Sequence, residues 1–127
     1  ASHFEPPLIR FESISYGPRE KMAQGKMARM IWLNGSSQTS NSLEAIKSKL
    51  EDDLANGGVY FNREKRKFEM HVTLSRFKVL LVKELPSISK DFVYEFYPKR
   101  LDLMQSELRR SGAEYFCMNS FDFNSKV

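Results

Sequence analysis

The run Phe68-Glu69-Met70-His71-Val72-Thr73-Leu74-Ser75-Arg76 decides how this chain is read. Met70, Val72 and Leu74 alternate with His71, Thr73 and Ser75, which is the two-residue period of a β-strand with one apolar and one polar face. A His and a Thr two residues apart on a strand point the same way. The hydroxyl can donate to a non-bridging phosphate oxygen, and the imidazole can move a proton. The chain holds two His, and the other is His3. The functional reading therefore turns on whether His71 has a catalytic partner.

Working outward, Leu8 to Tyr16 is rich in apolar and β-branched residues and reads as a strand with imperfect alternation. Gly17-Pro18 breaks it, and residues 18–27 read as a flexible basic hairpin loop. Ala28 to Asn34 reads as a buried strand, apolar on both faces, closed by Asn34-Gly35. Asn41 then caps a helix over about 41–56, with Glu44 as capping-box partner. Leu43, Ile46, Leu50 and Leu54 follow at spacings of three and four, and Gly57-Gly58 stops the helix. Residues 62–67 (NREKRK) form a basic loop leading into the His71 strand, which is expected to run on through Phe77 to Val82. Pro86 breaks the pattern. Phe92 to Tyr97, Leu101 to Leu108, and Glu114 to Phe123 after a Ser111-Gly112 turn read as three further strands. Strands around one clear helix with hairpin connections predict an α+β fold in a single domain.

Composition sets the class. At 41% hydrophobic and 13% aromatic over 127 residues the chain can bury a core and is not disordered. A net charge of +4 permits an anionic partner such as RNA without demanding one. The sole cysteine, Cys117, excludes a disulfide framework within the chain, so a reducing cytoplasm is the simplest compartment. No stretch approaches the ~20 apolar residues of a membrane span, and no membrane partner is expected. No His/Cys/Asp cluster has ligand spacing, so neither metal nor other cofactor is expected.

The segments PPLIRFESISYGP (6–18), ARMIWLNG (28–35), REKRKFEMHVTLSRF (63–77) and LDLMQSELRRSGAEYF (101–116), with the amphipathic helix between the second and third, follow one another as in the 2H phosphoesterases. The chain most resembles the LigT-like RNA 2′,3′-cyclic phosphodiesterases, also called 2′-5′ RNA ligases. That resemblance implies antiparallel sheets around a central cleft, with a phosphate held between two H-x-T motifs on two pseudo-symmetric lobes. His71 and Thr73 match the second motif, as a proton-transfer group and a phosphate donor, and Arg76 matches its trailing Arg. By strict alternation Arg76 points to the Met70 face, so it reaches the phosphate only where the strand twists or bulges.

The first H-x-T motif of that family has no match here. His3 is followed by Phe4-Glu5-Pro6, with no hydroxyl two residues on and two prolines that resist a regular strand. The chain is therefore expected to be the C-terminal portion of a two-lobed protein, incomplete at its N-terminus. Arg63, Lys65, Arg66 and Lys67 are candidates for an RNA-backbone clamp. Tyr115 is a candidate for stacking a base, and Trp32 reads as core.

Hydrolysing a 2′,3′-cyclic phosphate takes a base to activate water and an acid to protonate the departing ribose oxygen. The unperturbed His pKa of about 6.5 suits both roles. Thr hydroxyls and a cation stabilise the charge that builds on the equatorial oxygens. The resemblance implies a metal-independent RNA cyclic phosphodiesterase, with 2′-5′ RNA ligation as a related activity, once the first motif is present. The alternative is a non-catalytic nucleotide- or RNA-binding module of the same superfamily.

Overall fold

The computed structural model describes residues 4–18, 27–81, 85–88 and 90–124. Among them are six strands and one helix: β1 (Ile9–Gly17), β2 (Met27–Gly35), α1 (Ser37–Asn56), β3 (His71–Leu81), β4 (Lys90–Phe96), β5 (Arg100–Arg109) and β6 (Gly112–Asp122). The strands form a four-stranded sheet in the order β3-β2-β1-β4 and a two-stranded sheet of β5 and β6. The pairs β1–β2, β2–β3 and β5–β6 are antiparallel. The fold is α+β, as the sequence predicts. The chain divides into two compact units, Ile9–Glu95 and Ala1–Leu8 with Phe96–Val127.

In the larger unit β2 is the central support. Ala28, Met30, Trp32 and Asn34 are buried, whereas Met27 and Arg29 are exposed and Ile31 and Leu33 are half-buried. The strand thus buries one face, not two as its run of apolar residues suggests. Ile9 and Phe11 of β1 and Ile46 of α1 complete the buried apolar set with Ala28, Met30 and Trp32. The basic loop expected between β1 and β2 lies, over residues 19–26, outside the described residues.

The helix starts at Ser37, one turn before the expected Asn41. Ser36, in extended backbone, is the N-cap, and its Oγ accepts from the Thr39 N–H at 3.1 Å. Tertiary hydrogen bonds explain the earlier start. Thr39 Oγ1 accepts from the Arg10 N–H at 2.9 Å, and Ser40 Oγ accepts from the Met70 N–H at 2.9 Å. The first turn is thus tied both to β1 and to the segment entering β3. Asn41 is an exposed interior position, and the Glu44 carboxylate accepts from the Phe68 N–H at 3.1 Å instead of closing a capping box. At the other end Gly57 N–H donates to Asp53 O, and Gly58, at φ 84°, sits in the left-handed region that stops the helix.

In the smaller unit β5 and β6 form a hairpin turning at Arg110-Ser111, and Gly112 has φ 123°. Asn124 N–H donates to Phe4 O at 3.2 Å, and Phe123 N–H to Lys99 O at 2.9 Å. Consecutive β5 residues Leu103 and Met104 face Asn119 and Cys117, so Met118 is an extra residue on β6.

Candidate phosphate-binding face

His71 is the first residue of β3, and the register with β2 fixes where its neighbours point. Asn34 faces His71, Leu33 faces Val72, Trp32 faces Thr73, Ile31 faces Ser75 and Met30 faces Arg76. Consecutive residues on β2, Trp32 and Ile31, therefore face residues two apart on β3. Leu74 is the extra residue of a β-bulge. Directly opposed residues share a face of the sheet. The regular alternation of Met30, Trp32 and Asn34 thus carries Arg76, Thr73 and His71 to one side. The bulge corrects the polar set read from the sequence: Ser75 leaves it for the Ile31 side, and Arg76 joins it. The alternate residues do not form a buried apolar face either, since Val72 is 42% and Leu74 53% exposed.

β1 extends this face. Ser13 faces Asn34, Ser15 faces Trp32 and Gly17 faces Met30. Three rows cross three strands: Ser13–Asn34–His71, Ser15–Trp32–Thr73 and Gly17–Met30–Arg76. Asn34 is buried, and its amide donates to Ser15 Oγ at 2.8 Å and Ser13 Oγ at 3.2 Å. Ser13, Ser15 and Asn34 escaped the sequence reading. The alternation of the two serines on β1 is the signal that could have placed them together.

His71 is exposed, and two contacts hold its ring. The imidazole stacks on the Trp32 indole with centroids 3.8 Å apart and planes inclined by 16°. Its Nδ1 lies 2.9 Å from the Glu69 carbonyl oxygen. A carbonyl only accepts, so Nδ1 carries a proton, and in the neutral ring Nε2 holds the lone pair. Among the described residues Arg76 has no ion-pair partner.

The basic loop divides. Arg63 pairs with Asp52 at 2.8 Å and lies 3.9 Å from Glu51, and Arg66 pairs with Glu64. Lys67 lines a small cleft with Asn34, Ser37 and Ser40 beside the segment leading to His71. Lys65 is exposed. Tyr115 belongs to the smaller unit, on β6 opposite Ser106, and is 64% exposed. Cys117 is unpaired and exposed. His3 lies outside the described residues.

No family model and no curated protein matches this chain. Among solved structures it is similar to TT0787 of Thermus thermophilus, at a TM-score of 0.67 and 22% identity. The match covers 97% of this chain and 63% of that one, so the chain spans less than two thirds of this structural neighbour. At that identity the likeness shows the fold. Among the described residues no helix is long and apolar enough to cross a membrane.

Proposed function

We propose that the His71–Thr73–Arg76 face binds the phosphate of a nucleotide and forms one half of a 2′,3′-cyclic phosphodiesterase site of the 2H kind. The observation that carries this reading is the bulge at Leu74, which turns Arg76 to the side of His71 and Thr73. A proton-transfer group, a hydroxyl donor and a guanidinium on one face are the set that a phosphate diester needs. His71 takes a proton from the attacking water through Nε2, or in its protonated form gives one to the departing ribose oxygen. Water adds to phosphorus, the bond to one ribose oxygen breaks, and that oxygen leaves with the proton. Thr73 donates to a non-bridging oxygen, and Arg76 stabilises the charge that develops there. The opposite proton-transfer step belongs to a second group. We assign the substrate as RNA or a nucleotide ending in a 2′,3′-cyclic phosphate, in a reducing compartment such as the cytoplasm, where Cys117 stays a free thiol.

His71 is the only imidazole among the described residues, and that favours one second reading: a module that binds such ends without turning them over. One titration tests both. A 2′,3′-cyclic nucleotide is added to the full chain while amide resonances and ³¹P signals are followed. Binding shifts centred on His71, Thr73 and Arg76 are expected. Opening of the cyclic phosphate, by this chain or by the full-length natural protein, supports the enzyme reading, and shifts without turnover by either support the binding module. Saturating nucleotide with no shift at these three residues overturns both.

A further inference from the structure

We propose that Trp32 is a positioning residue: with Gly17 beneath it, its indole holds the His71 ring so that Nε2 faces the phosphate site. A His at the exposed start of a strand has two free side-chain torsions, and both are taken up here. The 3.8 Å stack on Trp32 fixes the ring plane, and the Nδ1–H bond to the Glu69 carbonyl at 2.9 Å fixes which edge turns inward. Nε2 is left as the ring nitrogen free for a ligand.

The indole is itself fixed from the other side. A Cβ on Gly17 would stand 2.6 Å from Trp32 Cδ2 and Cε2, closer than real Cβ contacts come. Those atoms belong to the middle of a rigid ring, so they cannot swing aside as a flexible side chain would. Gly17 is buried, and its backbone is outside the left-handed region, so it is the approach of the indole that demands glycine here. Gly17, Trp32 and His71 thus form a stack running across β1, β2 and β3.

The polar end of the indole argues against a role as filler alone. Trp32 Nε1 is buried with no hydrogen-bond partner among the described residues, a cost that native cores generally avoid. A leucine or phenylalanine would fill the row without stranding an N–H. What the indole adds is breadth, enough to lie against Gly17 and under the imidazole at once.

The catalytic consequence rests on the phosphodiesterase reading, whereas the ring geometry does not, so the test reads the two separately. Long-range ¹H–¹⁵N correlation of the ¹⁵N-labelled full chain reports the His71 tautomer. The parent is expected to show Nδ1–H alone in the neutral ring. Trp32→Leu is expected to move the ring toward the Nε2–H tautomer that unrestrained imidazoles favour, and Trp32→Phe, too narrow to reach Gly17 and the imidazole at once, to move it part of the way. Gly17→Ala serves as a second variant that leaves Trp32 in place, and it is expected to shift the His71 ring resonances by displacing the indole. An unchanged His71 signature in folded Trp32→Leu overturns the proposal. If that variant does not fold, an unchanged signature in Gly17→Ala overturns it equally. Where the cyclic nucleotide is hydrolysed, Trp32→Leu is expected to lower kcat at least tenfold with little change in KM. A Trp32-dependent tautomer with no hydrolysis by the full-length natural protein upholds the positioning role and overturns the phosphodiesterase reading.

Discussion

Thr73 and Arg76, three residues apart on β3, face the same way, opposite Trp32 and Met30 of β2. In a regular strand an odd spacing sends two side chains to opposite faces. The extra residue Leu74 reverses that phase, and Ser75 takes the side that alternation gives Arg76.

The bulge makes Arg76 and Ser75 opposite tests of one face. Hydrogen bonds to charged groups are worth about 1.5–3 kcal/mol, so Arg76→Gln is expected to weaken cyclic-nucleotide binding by about 10- to 100-fold. Ser75→Ala is expected to leave it unchanged. Calorimetric titration of the two variants checks this, and the reverse ranking would restore the strictly alternating strand.

His71→Ala separates chemistry from folding. The side chain is exposed, so the fold should survive, with a stability loss of about 1 kcal/mol from the lost stack on Trp32. Hydrolysis of a 2′,3′-cyclic nucleotide by the full-length natural protein is expected to fall by about 10²–10⁴. Single-turnover assays and urea unfolding of the same sample measure both. Activity within a few-fold of the parent would remove His71 from the reaction.

Asn34 joins β1 to β2 through a buried amide that donates to Ser13 and Ser15. Asn34→Leu takes away both donations while leaving a side chain of similar bulk. A loss of about 1–3 kcal/mol is expected, read as a lower urea midpoint with unchanged slope. Unchanged stability would show that the serine hydroxyls find water as readily as they find Asn34.

The strand succession was legible because hydrophobic runs and turn residues are local signals. Ser111-Gly112 marks the β5–β6 turn, and Gly57-Gly58 ends the helix where the structure ends it. The helix start was not legible, since the segment Ser36-Ser37-Gln38-Thr39-Ser40-Asn41 offers several caps of equal quality. Hydrogen bonds from Arg10 and Met70, distant in sequence, select among them. At the site, His71 and Thr73 follow from alternation alone. Arg76 and the Trp32 stack depend on the register against β2, which no single strand encodes.

The basic loop is the last test, because ion pairing divides residues that look alike in sequence. Arg63 sits between Asp52 and Glu51, and a phosphate approaching it meets two carboxylates that cancel its charge and repel the ligand. These pairs are exposed and individually weak, yet they hold the local net charge near zero. Lys67 lines the cleft with Asn34, Ser37 and Ser40, which is the direction of His71. Lys67→Gln is therefore expected to lower the log–log salt slope of single-stranded RNA binding by about 0.7, the value for one lost phosphate contact. Arg63→Gln is expected to change it by much less. Fluorescence titrations over a range of salt concentrations measure both slopes. Equal slopes for the two variants would make the whole loop one diffuse field, and a flat response in both would return it to a solvated surface.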